Sequence, residues 1–160
     1  MKTTGSKIFR LPTLCAALTF HAVPYPAMAQ AVTSSVVKNK LADIRISAGD
    51  TIITAELADN ATSRDFLARL PMTVTMTRSG EREYHGRPDI PISINGPKQG
   101  RFENGDLGYW APGGYLAIFL DNTVKPEISD LVVMGKITSD LAAIKRLGSS
   151  VDITIEHAGS

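Results

Sequence analysis

Gly105-Asp106-Leu107-Gly108-Tyr109-Trp110-Ala111-Pro112-Gly113-Gly114-Tyr115-Leu116-Ala117-Ile118-Phe119 decides the architecture of this 160-residue chain. Two short runs rich in aromatic and β-branched residues flank a Pro-Gly-Gly turn, which reads as strand, tight turn, strand. The stretch holds the only Trp, Trp110. Tyr109 and Trp110 are neighbours on a strand, so their side chains leave opposite faces. One of them belongs to the core and the other to an exposed or groove-lining position. No obvious reaction centre lies in the stretch.

The same period-2 signal extends in both directions. Upstream, Ile44 and Ile46 alternate with polar residues, Ser47-Ala48-Gly49-Asp50 turns, and Ile52 to Leu57 returns, forming a hairpin. Thr62 with Asp65 three residues on marks a helix start. Phe66, Leu67 and Leu70 form the apolar face of that helix, and Pro71 ends it. Met72, Val74 and Met76 alternate with threonines as another strand. Arg78 to Asp89 is polar and reads as the longest loop. Ile90, Ile92 and Ile94 mark a short strand, placed at an edge by Pro91, and Asn95 to Gly100 reads as a turn. Downstream, a loop from Asp121 to Asp130 leads into a strand from Leu131 to Ile137. Ser139 is placed to cap a second helix through Leu141, Ile144 and Leu147, with Gly148 in the left-handed closing position. Val151, Ile153 and Ile155 finish the chain as a strand.

About eight strands and two short helices result, so the class is mainly β. Alternation along every strand implies one buried face. A closed or nearly closed eight-stranded antiparallel barrel buries those faces and leaves few free edges. The barrel domain is expected over residues 41–157.

Residues 1–29 read as a secretory signal peptide: Lys2, Lys7 and Arg10, then an apolar run from Leu11 to Val23, then Ala27-Met28-Ala29 before cleavage at Gln30. The apolar run is far short of the ~20 residues that span a bilayer. The expectation is an exported protein, periplasmic or secreted, with no stable membrane span after cleavage. Residues 30–40 read as a flexible leader. The single Cys, Cys15, lies within the signal, and Leu14 before it does not suit lipidation. The mature chain then has no disulfide and no thiolate chemistry.

Of the 17 basic residues, three precede the cleavage site, leaving 14 against 16 acidic residues and a mature net charge of −2. No Lys/Arg cluster appears, so nucleic acid is not an expected partner. Only His85 and His157 remain as histidines, far apart in sequence and with no Cys, so no zinc site is expected. There is no Gly-x-Ser-x-Gly elbow. No glycine loop opens a helix, so no cofactor is expected. Asp106 is a lone carboxylate at a turn, too little for a cation.

The order of these segments resembles the bacterial cyclophilin-like family. The matching residues are Gly49 and Leu57; Phe66, Leu70 and Pro71; Glu83; Gly105-Asp106-Leu107-Gly108-Tyr109-Trp110 with Pro112; Leu116 to Phe119; and Gly135-Lys136-Ile137. They cover roughly residues 42 to 156. The resemblance implies an eight-stranded barrel with two short helices. It does not imply prolyl isomerase activity, because the Phe-His-Arg and Gln-Gly-Gly-Asp segments of true cyclophilins are missing. Their Ser-Gln-Phe-Phe strand aligns loosely with Ala117-Ile118-Phe119, keeping the pocket Phe at Phe119 and replacing the pocket Gln by Ala117.

Three readings follow, one of them a purely structural or accessory domain with no ligand, and two of them functions from different classes. One is a non-catalytic module that binds a peptide or small ligand. The alternative is a divergent peptidyl-prolyl isomerase, which needs to lower a barrier of ~18–20 kcal/mol set by amide resonance. An Arg donor above an apolar floor serves that chemistry, and Arg64, Arg78, Arg82, Arg87 and Arg101 are the candidates, with Arg78 first because it sits at a strand exit. The bland reading leaves all five as solvated surface residues. Glu83, Tyr84 and His85 form an acid–base or ligand-orienting set, or part of a water-soaked loop. Tyr109, Trp110 and Phe119 complete the binding candidates, as groove lining or as core.

Overall fold

The computed structural model describes residues 39–159. The expected signal peptide and most of the leader lie outside them.

Nine strands and two helices follow in order: β1 (Lys40–Ala48), β2 (Thr51–Ala58), α1 (Ala61–Leu67), β3 (Met72–Ser79), β4 (Glu83–Gly86), β5 (Lys98–Arg101), β6 (Asp106–Trp110), β7 (Tyr115–Phe119), β8 (Glu127–Ile137), α2 (Leu141–Lys145) and β9 (Ser150–His157). Eight strands run β2-β1-β9-β3-β4-β7-β6-β8, and β8 pairs back with β2 to close the ring. Every pairing in the ring is antiparallel. The ninth strand, β5, lies outside the ring against the first half of β8. β8 is long enough for both tasks: Gln99 pairs with Leu131, while Ala55 and Leu57 pair with Ile137 and Gly135.

Alternation decides the interior. Ile44 and Ile46, Ile53 and Leu57, Val74 and Met76, Leu116 and Ile118, and Ile153 and Ile155 all point inward, each at most 2% exposed. Phe66 from α1 and Ile144 from α2 join the same cluster. Each such side chain contributes ~1.5–3 kcal/mol through removal from water, which suits a domain without disulfides. The β6–β7 turn needs its glycine: Gly114 takes φ +65° and its N–H returns to the Trp110 carbonyl at 2.9 Å, a conformation costly to residues with a Cβ.

Several local expectations are corrected. Ile90 to Ile94 is not a strand; its backbone is tied instead to α1, where the Asp65 carboxylate accepts Ser93 N–H and the Thr62 hydroxyl accepts Gly96 N–H. Ile92 alone is buried there, while Ile90 and Ile94 face water. The long loop after Arg78 contains β4, and the expected turn before Gly100 contains the start of β5. The first helix is capped by Asn60, whose side chain accepts Ser63 N–H, rather than by Thr62, and it ends at Leu67, four residues before Pro71. The second is capped by Asp140, because the Ser139 hydroxyl is engaged with Thr54 N–H. Gly148 is not left-handed; α2 closes at Arg146 in right-handed geometry.

Candidate functional site

Closing the barrel sends one half of each strand's side chains outward, and on β4, β7, β6 and β8 that outer face is not polar. Phe102, Ala117, Phe119 and Leu131 form a second buried cluster there, with Trp110, Ile128 and Val133 packed on it. The register lays these side chains in rows. His85 stands opposite Ala117, Ala117 opposite Gly108, and Gly108 opposite Val133. The flanking rows are large: Glu83 opposite Phe119, and Tyr115 opposite Trp110. Two small residues between large neighbours leave a depression. Leu131 and Phe119 lean over Gly108, with the Leu131 Cδ1 2.7 Å from where a Cβ would stand. Ala117 is thus the floor of what remains.

The result is a cavity of about 150 Å³ lined by Glu83, His85, Trp110, Tyr115, Ala117, Phe119 and Ile128. Its aromatic walls are held from behind. Phe119 stacks on Phe102 at 4.1 Å between ring centroids. Trp110 lies nearly parallel to Tyr115, and its indole N–H donates to the Ser129 carbonyl at 2.9 Å. The His85 ring meets Tyr115 edge-on at 5.3 Å.

The polar part of the wall is unusual. The Glu83 side chain is only 13% exposed. Burial pushes its carboxyl above the usual glutamate range, against the opposing pull of Arg82 and then His85. Arg82 Nη1 donates to Glu83 Oε2 at 2.7 Å, and its Nε donates to the Lys125 carbonyl. The same guanidinium lies 4.8 Å from the Phe102 centroid and 5.8 Å from that of Phe119. His85 Nδ1 is buried with no hydrogen-bond partner. Its nearest carboxylate oxygen, Glu83 Oε1, stands at 3.7 Å, beyond hydrogen-bond reach. The Arg87 guanidinium carbon lies 4.7 Å from the centroid of the Tyr115 ring, one of the cavity walls.

Among the candidates named from sequence, Glu83, His85, Trp110 and Phe119 line this one cavity. Tyr84 and Tyr109 do not. Both belong to the barrel interior, where the Tyr84 hydroxyl donates to the Leu147 and Gly148 carbonyls. Alternation puts Tyr84 on the face opposite Glu83 and His85. Arg78 also lies elsewhere: its guanidinium donates to the Gly80 and Lys145 carbonyls and to Glu81, under which it covers the Tyr84 ring. The Asp106 carboxylate is held by Lys136 at 2.9 Å and by Glu103 N–H, so its place in the sequence motif is structural. Ile128 and Phe102 carried no sequence signal, being single apolar residues in polar runs. No group of three or more metal-ligating side chains converges among the described residues, nor does any helix among them have the length and apolarity to cross a membrane.

A larger cavity, about 260 Å³, lies between Arg69, Pro71 to Thr73 and Pro88 to Ile90. Its one cationic group, Arg69, already makes two hydrogen bonds to Asp65. The smaller cavity has the better chemistry, with aromatic walls, a desolvated carboxylate and a partnerless imidazole nitrogen.

The sequence pattern of the Cyclophilin-like family matches residues 46–156, most of the barrel. The chain belongs to this family. A solution structure of a hypothetical protein from Archaeoglobus fulgidus is similar to this cyclophilin-like barrel, with a TM-score of 0.61 and 23% identity over 73% of this chain and 95% of that one. At that identity the likeness concerns the fold. No curated protein matches the sequence.

Proposed function

We propose that this protein is an exported binding module whose outer cavity takes one apolar group of a peptide or small ligand. Export rests on the signal-like residues 1–29, with cleavage before Gln30. Binding rests on one observation: aromatic side chains and a desolvated carboxylate converge on a preformed concavity, the composition typical of small-ligand sites. The walls are stacked and hydrogen-bonded from behind, so little ordering remains to be done on binding.

Trp110 is the only Trp of the chain, so its fluorescence reports on the cavity without labelling. Titration with N-acetyl-phenylalanine amide should give a saturable change at millimolar concentration, lost in Ala117→Leu. An unchanged spectrum at saturating probe would refute the reading.

The isomerase alternative has one specific observation in its favour, the Arg82 guanidinium above the Phe102–Phe119 stack. Two of its nitrogens are engaged by Glu83 and the Lys125 carbonyl, which favours binding over catalysis. A proline-isomerisation assay on a short Xaa-Pro peptide separates them. The binding reading expects no acceleration. Acceleration abolished by Arg82→Ala would establish the isomerase.

A further inference from the structure

The charges around the outer cavity do not cancel. Glu83 is the only charged side chain in its lining, and Arg82 neutralises it through Oε2 at 2.7 Å. Arg87 is left over. It is exposed, forms no ion pair among the described residues, and its guanidinium carbon lies over the Tyr115 ring, 4.7 Å from the centroid. The contact with the ring leaves the guanidinium N–H groups unused, and they form a fork matched to a carboxylate. A cationic guest would meet two guanidinium groups and one carboxylate that already has a partner. An anionic guest would meet one free fork.

Size restricts the guest as well. About 150 Å³ corresponds to roughly five waters at ~30 Å³ each, enough for one side chain and no more. Ala117 and Phe119 beneath it, with Ile128 at one wall, ask for an apolar body.

We infer that the ligand of this cavity is a small carboxylate: an apolar group on the Ala117 floor, with its carboxylate held by Arg87. The inference rests on the reading of the cavity as a binding site. The same chemistry is offered by a free organic acid and by the last residue of a peptide.

The test compares three probes by Trp110 fluorescence in the protein: N-acetyl-phenylalanine, its neutral amide, and benzoate. The acid should bind about tenfold tighter than the amide, the scale of one charge-assisted hydrogen bond, and added salt should erode the difference. Arg87→Gln should bring the acid down to the affinity of the amide, and Arg87→Lys should restore part of the gap. Benzoate binding as tightly as the acid assigns the site to free organic acids; benzoate much weaker assigns it to peptide C-termini. Equal affinity of acid and amide, or an acid preference that persists in Arg87→Gln, overturns the inference while leaving the cavity as a binding site. If neither acid nor amide binds, the site reading fails and the inference falls with it.

Discussion

Ala117 stands directly opposite His85 in the β4–β7 register, and the shortness of the alanine is what opens space beside the imidazole. Large neighbours on both sides, Phe119 and Tyr115, become walls because the residue between them is small. Lengthening Ala117 fills the cavity from its floor. In Ala117→Leu, binding of N-acetyl-phenylalanine amide should vanish, while the unfolding free energy from urea denaturation falls by no more than the ~1–3 kcal/mol usual for overpacking. Binding at wild-type affinity in this variant would place the ligand elsewhere.

Tyr84 is inward-facing and its hydroxyl serves two carbonyls just beyond α2, at 2.8 Å each. Tyr84→Phe removes the one hydroxyl proton that these two carbonyls share and should cost about 1–3 kcal/mol, measured by urea denaturation. Ligand affinity should not move, since Tyr84 and the cavity lie on opposite faces of β4.

Arg78→Ala should behave likewise. It removes donors to two carbonyls and to Glu81, so a loss of stability is expected with affinity retained. The contrast is with the exposed Arg87, whose Arg87→Gln variant should keep its melting temperature and lose carboxylate selectivity. A drop in affinity for the amide probe in folded Arg78→Ala would contradict this division.

Gly86 ends β4 where it crosses β3. A Cβ there would run into the Thr75 carbonyl oxygen and the Val74 side chain, both fixed by the sheet. Gly86→Ala should therefore destabilise by at least the ~1–3 kcal/mol usual for overpacking. A thermal melt within one degree of wild type would show that β3 and β4 can separate at no cost.

Two carboxyls give opposite pH signatures. Glu83 sits above its unfolded value because burial outweighs Arg82 and His85. Between the ordinary glutamate value, ~4.3, and its raised folded value, the folded chain holds more of this proton than the unfolded chain. That contribution therefore falls as pH rises through the window. Asp65 is lowered, chiefly by its hydrogen bonds from Arg69 and then by Ser93 N–H, against the effect of burial. Its contribution is present above the ordinary aspartate value, ~3.9, and is lost as pH falls through the folded value. Glu83→Gln should flatten the pH–stability curve on the mildly acidic side, and Asp65→Asn should flatten it at the acid end. Unchanged slopes in denaturation series across those ranges would refute the assignments.

The ring of strands was legible because its signal is periodic. Ile44, Val74 and Ile153 each sit in a run where every second residue is apolar, and a closed sheet buries all such runs. β4 escaped because its four residues include Glu83 and His85 facing outward and Gly86 facing in; a single Tyr84 cannot announce a strand. Lys98 to Arg101 is exposed throughout and pairs only with β8, so it has no apolar face to advertise. The apparent strand at Ile90 to Ile94 failed for the reverse reason: it alternates, but Pro91 removes a donor and α1 takes the Ser93 N–H. That neighbouring residues take opposite faces separates Trp110 from Tyr109, without saying which of the two is buried. The rest of the site depended on register. Nothing in the chain says that Ala117 lies between His85 and Gly108, or that Arg82 and Glu83 pair over a phenylalanine stack.

The most direct test of the account is a map of backbone amide and indole N–H shifts on ¹⁵N-labelled protein during titration with N-acetyl-phenylalanine. The account predicts saturable shifts confined to Glu83, His85, Trp110, Tyr115, Ala117, Phe119 and Ile128 together with Arg87, with the indole resonance of Trp110 among the largest. Shifts clustered instead around Arg69, Met72 and Ile90, or none at saturating probe, would contradict it.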